Sequence, residues 1–171
     1  NDYQPVLSHT RRYRLQDSPY IYTNGIHGAY VEVDVDTGWI KHLKHWVVED
    51  CGRIINPQLA DEQIRGGCVQ GLGGALYEHC IYDDAGQLQN GTMADYVTPM
   101  AFEMPDIEVG HVETPTSESE LGAKGAGESG TGAAPGVMMN AVNDAIKPLT
   151  SGRVKEQPIT PEVVLKALGK I

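Results

Sequence analysis

From Leu121 to Pro135 the chain reads LGAKGAGESGTGAAP, with five glycines and only two charged side chains, Lys124 and Glu128. A glycine inside a helix or strand costs roughly 0.5–1 kcal/mol relative to alanine, so this stretch cannot be a regular element. It is either a loose linker or a loop whose backbone comes close to something and takes positive φ on the way. The surrounding sequence favours the second use. A strand pattern over Ile107–Glu113 and the polar loop TPTSESE precede it, and a small-residue helix over 133–146 follows, ended by Pro148. Strand, glycine-rich loop and helix start together make a corner where backbone N–H groups point at a ligand. Glu128 within that corner is either a helix-capping group or a general base.

A second glycine cluster lies upstream. Asn56 is suited to cap a helix and Pro57 to its first turn, and the stretch to His79 has helical length. That helix, about 57–79, carries Gly66, Gly67, Gly71, Gly73 and Gly74. Five glycines there cost roughly 4–5 kcal/mol of helix propensity. Gln63, Gly67, Gln70 and Gly74 share one face by helical spacing, presenting two amides on a shallow surface. Close helix packing and a bound ligand both account for such a face. Neither cluster is a nucleotide fingerprint. Gly71-Leu72-Gly73-Gly74 lacks the last glycine of GxGxxG, and Lys124 is misplaced for a P-loop.

The fold class expected is α+β. Ala29–Val35 and Trp39–Glu49 alternate apolar and polar residues around the turn Asp36-Thr37-Gly38, which predicts a β-hairpin over about 29–49. Leu88–Val97 is a further candidate strand, giving an antiparallel or mixed sheet of four or five strands with helices on one side. Thr160-Pro161-Glu162 starts a last helix, about 161–169. Residues 1–25 read as an extended leading segment, with one strand around Thr10–Leu15, and 26–171 as the domain proper. The first residue is Asn1, so the chain is expected to be a piece of a larger body.

Two histidines, His42 and His45, fall on the second hairpin strand. Residues three apart on a strand face opposite sides, so they are not expected to share a metal. Cys51, Cys68 and Cys80 are unclustered and read as reduced thiols, buried as small hydrophobes. No metal ligand is expected. The net charge of −10 argues against nucleic acid or an anionic membrane as partner. No apolar run approaches the roughly 18–20 residues of a membrane span, and a cytoplasmic protein is expected.

Three motifs occur in register: DCGRIINP (Asp50–Pro57), GGCVQGLGGALYE (Gly66–Glu78) and GAKGAGESG (Gly122–Gly130). With VEVDVDTG before them and TPEVVLKAL at the end, they resemble the C-terminal part of the molybdopterin-binding large subunit of the xanthine dehydrogenase, aldehyde oxidase and aerobic carbon monoxide dehydrogenase family. The resemblance covers nearly the whole chain from about Tyr20. It implies that Glu128 is the active-site general base for oxidative hydroxylation of an aldehyde, N-heterocycle or CO, with water as oxygen source. It implies cofactor-binding roles for Gln70, Gly71, Lys124, Gly125, Ala126 and Gly127. The implied cofactor is molybdopterin, as the molybdenum-bearing cytosine dinucleotide, with 2Fe-2S clusters and FAD on partner subunits or domains. The implied partners are the remainder of the large subunit, an iron–sulfur subunit, an FAD subunit and a small-molecule substrate. A piece cut from such a body is also expected to self-associate. Read from the residues alone, a non-catalytic phosphate-binding module and a purely structural domain stay open.

Overall fold

The computed structural model describes residues 6–14 and 20–171. The hairpin forms from β1 (Asn24–Val33) and β2 (Ile40–Asp50), paired antiparallel. Gly38 takes a φ of +77° at the turn, and a Cβ there would sit 2.2 Å from the Pro161 carbonyl oxygen. That close approach docks the turn on the last helix. α1 (Pro57–Leu76) starts as expected: Asn56 Oδ1 accepts the Leu59 amide at 3.1 Å, and proline fills the first turn. β3 (Ile107–His111) then returns parallel to β2, giving the sheet order β1-β2-β3. A helix between the two strands supplies the long crossover that a parallel pair needs. α2 (Ala134–Ile146) follows the glycine loop, and α3 (Pro161–Ala167) is capped by the Thr160 hydroxyl.

The described residues hold three strands rather than four or five. Residues 10–14 have no regular structure, and Leu15 lies outside the described residues. Leu88–Val97, the further candidate strand, makes only a single bridge, Leu88 to Tyr82. Its polar side chains are spent locally instead. Asn90 Oδ1 accepts the Ile81 amide at 2.9 Å and its amide donates to His79 O at 2.6 Å, while Thr92 and Asp95 close a turn. Such side-chain bonds compete with a ladder.

One face of the sheet is covered and the other is not. Ala29, Val31, Val33 and Ile40 pack with α1, α2 and α3 around Leu72, Met138, Val142, Ile146 and Val164. Val47 and Ile107 pack against Ile64 and Cys68 of α1 in a second cluster. Ile26, Tyr30, Trp46 and Val48 on the opposite face stay exposed. Among the described residues no helix is long and apolar enough to cross a membrane.

The strand periodicity breaks once. Tyr30 pairs with Lys44 but Val31 pairs with His42, so Leu43 is an extra residue in β2. This bulge resets the alternation and turns His42 and His45 to the same, covered face. The expectation that they face opposite ways is therefore corrected: His45 is fully buried and its Nδ1 lies 3.4 Å from His42 Nε2.

Candidate functional site

The glycine loop is a built structure, not a linker. Its first half pairs with the end of β2. Lys124 N donates to Cys51 O at 2.7 Å, Arg53 N to Gly122 O at 3.0 Å, and Gly125 N to Ile21 O at 3.0 Å. Gly122 sits at φ +76° and Gly52 at φ +65°, and a Cβ on Gly52 would lie 2.3 Å from Gly122 O. Only glycine fits either place. The Lys124 ammonium reaches Asp50 at 3.0 Å and Thr114 Oγ1 at 2.6 Å. Asp50 also accepts the Thr114 hydroxyl and amide and the Gly52 amide. These donors, Thr114 first, hold the Asp50 carboxyl well below the usual carboxylate range. Lys124 is thus engaged in locking the loop to β2.

The second half of the loop lies on α1. Gln63 Nε2 donates to Gly127 O at 2.7 Å, and Thr131 Oγ1 to Gly67 O at 3.1 Å. A Cβ at Gly67 would sit 2.1 Å from Ser129 O, and one at Gly71 2.6 Å from Thr131 O. These two glycines let the loop backbone touch the helix backbone. Gly71, Gly67 and Gln63 therefore meet the chain itself. Gly130 at φ +84° closes the turn that begins at Glu128, where Thr131 N donates to Glu128 O at 3.2 Å. Its own amide donates to the buried Glu49 carboxylate at 3.0 Å.

Five other glycines have no such reason. Among the described residues, a Cβ at Gly66, Gly74, Gly127, Gly132 or Gly136 would meet nothing within 4 Å, and none of the five has positive φ. Gly66, Gln70 and Gly74 recur at four-residue spacing on α1, next to the Gly67–Gly71 face on which the loop sits. Gly127, Glu128, Gly132 and Gly136 are exposed along the loop and into α2. Both sets flank elements that meet where the loop lies on α1, and the Gln70 and Glu128 side chains are exposed with them. Glycines without close neighbours leave room for a group to approach the main chain, and Glu128 is the exposed carboxylate on the loop. The amides of Gly122, Lys124 and Gly125 are used internally, so the backbone beyond them, from Ala126 on, is what this surface offers. Glu128 stands exposed in the described chain.

Sequence reasoning missed the group beneath the loop. His27 Nδ1 lies 3.0 Å from His45 Nε2, His27 Nε2 lies 3.5 Å from Glu49 Oε1, and Cys68 is fully buried beside them. His27, His45 and Cys68 offer ligand atoms within 4.8 Å of one another, the metal-capable group among the described residues. The cysteine reading is also corrected in part. Cys51 and Cys68 are buried, but Cys80 is exposed. Burial, with Glu49 nearby, pushes the Cys68 thiol up to about 12 and holds His42 and His45 down at about 4. The signal for this cluster was a histidine on each hairpin strand, hidden by the bulge.

The molybdopterin cofactor-binding domain family matches residues 2–105. The nicotine 6-hydroxylase large subunit of Paenarthrobacter nicotinovorans is 44% identical over 165 residues, 96% of this chain and 20% of that protein. The carbon monoxide dehydrogenase large chain of Afipia carboxidovorans is 33% identical over 134 residues, 78% of this chain and 17% of that one. The crystal structure of quinoline 2-oxidoreductase from Pseudomonas putida 86 superposes with a TM-score of 0.82 at 42% identity, over 86% of this chain and 19% of that chain. The chain spans about a fifth of the length of these relatives.

Proposed function

The chain belongs to the molybdopterin cofactor-binding domain family of large subunits, and from that premise we propose that it forms the Glu128-bearing wall of a molybdenum hydroxylase's cofactor site. The observation that carries this is the row of glycines whose missing side chains nothing among the described residues explains. Gly66 forgoes about 0.8–1 kcal/mol of helix propensity, and Gly74, near the helix end, somewhat less. A planar pterin lying against bare backbone accounts for that cost; solvent does not.

When bound, the cofactor supplies the two-electron oxidation. The chain's own residues then have three tasks. The open strip at Gly66, Gln70 and Gly74 and the loop from Ala126 to Gly132 admit the cofactor close to the main chain, with the Gln70 amide as a hydrogen-bonding edge. Glu128 acts as general base, taking the proton lost as water-derived oxygen passes to the substrate. Asp50, Thr114 and Lys124 serve indirectly by fixing the loop to β2. The rest of the large subunit supplies the opposite wall and the desolvation of Glu128 that this chain does not provide.

The substrate class favoured is a nitrogen heterocycle rather than an aldehyde or CO. The relatives at 42–44% identity are named for nicotine and quinoline. The cytosine dinucleotide form of the cofactor, iron–sulfur and FAD subunits as electron acceptors, and a cytoplasmic setting complete the reading. The exposed Ile26, Tyr30, Trp46 and Val48 face meets other parts of the assembly.

Cofactor analysis of the assembled enzyme tests the proposal. Molybdenum and a nucleotide-bearing pterin are expected in the wild type. Gly127→Val, which puts a branched side chain where an added Cβ meets nothing within 4 Å among the described residues, is expected to lose most of both. Full cofactor occupancy in that variant contradicts the placement.

A further inference from the structure

Glu49 is a carboxylate with 3% of its surface exposed, in the core of a small domain. Burying a charge there is costly unless donors surround it. The donors present are the Gly130 amide at 3.0 Å and His27 Nε2 at 3.5 Å, and the Thr23 hydroxyl lies 3.3 Å from its other oxygen. Gly25 makes room, because a Cβ there would sit 2.4 Å from the carboxylate. Behind His27 runs a chain whose proton positions follow from its ends. Lys44 O can only accept, so His42 carries its proton on Nε2, 3.1 Å away. His45 Nδ1, at 3.4 Å, is then an acceptor, and its Nε2–H donates to His27 Nδ1 at 3.0 Å. His27 Nε2–H is left to donate to Glu49. Each ring holds one proton, and His42 Nδ1, which has no partner among the described residues, is a bare acceptor rather than an orphaned donor. Burial keeps all three rings on the neutral side, which the proton count requires.

The far end of this chain is the catalytic loop. Gly130 is a fixed point: its φ is +84°, and a Cβ would lie 2.5 Å from Ile64 O. It sits two residues after Glu128, in the turn that Thr131 N closes onto Glu128 O. Ser129 between them is buried, its Oγ 3.4 Å from Cys51 Sγ. We propose that Glu49 is a positioning residue for Glu128: backed by the one-way chain from His42 through His45 to His27, its carboxylate holds the Gly130 amide and so sets the turn that presents Glu128. This rests on the reading of Glu128 as base. The same geometry assigns His27 and His45 to hydrogen bonding with each other rather than to a metal shared with Cys68.

The test uses the assembled enzyme with Glu49→Ala and Glu49→Gln, each alone and combined with Glu128→Gln. Hydrogen exchange at residues 127–131 and turnover per bound molybdenum are read together. Glu49→Ala is expected to speed Gly130 exchange and lower kcat about 10- to 100-fold with KM little changed, since small displacements of a catalytic group cost that much. Glu49→Gln keeps an oxygen for Gly130 and is expected to recover part of both losses. Should Glu49→Ala not assemble, Glu49→Asp keeps the charge but withdraws it by one methylene, and must show the same pattern. In the Glu128→Gln background Glu49→Ala should cost nothing more, because groups acting as a unit are not additive. Unchanged exchange at Gly130, or full turnover per molybdenum alongside lowered thermal stability, overturns the proposal. So does a stoichiometric zinc or copper ion that is lost in Cys68→Ala. Normal turnover in Glu128→Gln alone overturns the base assignment and with it the role given to Glu49; the exchange data separate that failure from a failure of the clamp itself.

Discussion

The glycines of α1 fall into two classes, and alanine substitution should separate them. Gly66 and Gly74 are open, with nothing within 4 Å of an added Cβ. Alanine there gains about 0.8–1 kcal/mol of helix propensity at Gly66, and less at Gly74 near the helix end. The double variant should gain about 1.5 kcal/mol, or roughly 3–6 °C at 2–4 °C per kcal/mol for a domain of this size. Gly67 is the converse. Its Cβ would lie 2.1 Å from the Ser129 carbonyl oxygen, a backbone atom held by the loop. Overpacking costs about 1–3 kcal/mol, and the propensity gain only partly offsets it, so Gly67→Ala should lose about 1–2 kcal/mol. Urea unfolding of the chain followed by circular dichroism measures both. The decisive step is molybdenum content in the assembled enzyme. Gly66→Ala/Gly74→Ala should be the more stable protein and the poorer cofactor binder. Unchanged stability in both variants refutes the steric reasoning. Full molybdenum content in the stabilised double variant refutes the idea that the open strip exists for the cofactor.

Acid should weaken the fold through the buried histidines. Folded His42 and His45 titrate at about 4, whereas an unfolded histidine titrates near 6.5. The unfolded chain therefore binds more protons in between, so stability is full above about pH 6.5 and falls as the pH drops toward 4, by at most about 3 kcal/mol per ring. A urea midpoint that stays flat across that window contradicts neutral, buried rings. Asn56→Ala removes the Oδ1 cap on Leu59 N and should cost about 1 kcal/mol in the same assay, with no change in molybdenum content; an unchanged midpoint would show that the cap contributes nothing.

Where a sequence signal is local, the fold follows it. Asn56-Pro57 and Thr160-Pro161 start helices because a side-chain oxygen and a fixed φ are enough to set a first turn. The hairpin turn forms where Gly38 permits it. Non-local features were harder to read. A strand needs a partner, and Leu88–Val97 finds one only at a single bridge, because Asn90, Thr92 and Asp95 bond their own neighbourhood. The extra residue at Leu43 leaves no mark in composition, yet it decides which way two histidines point. Within the site, the glycine spacing announced close approach. It did not divide the glycines between those that meet the chain's own backbone, such as Gly67 and Gly71, and those that meet nothing in it. Motif alone singles out Glu128. Glu49, the positioning residue proposed for it, carries no such mark, since it reaches that loop only through the folded chain and the Gly130 amide.

In the proposed function Glu128 is the proton acceptor at a molybdenum centre. Its most direct test is the rate at which substrate reduces that centre in the assembled enzyme, compared between wild type and Glu128→Gln at equal molybdenum content. Loss of a general base should slow reduction by about 10²–10⁴-fold while cofactor content and fold are retained. Reduction within about threefold of wild type would remove Glu128 from the chemistry, because an amide cannot take up the proton at neutral pH.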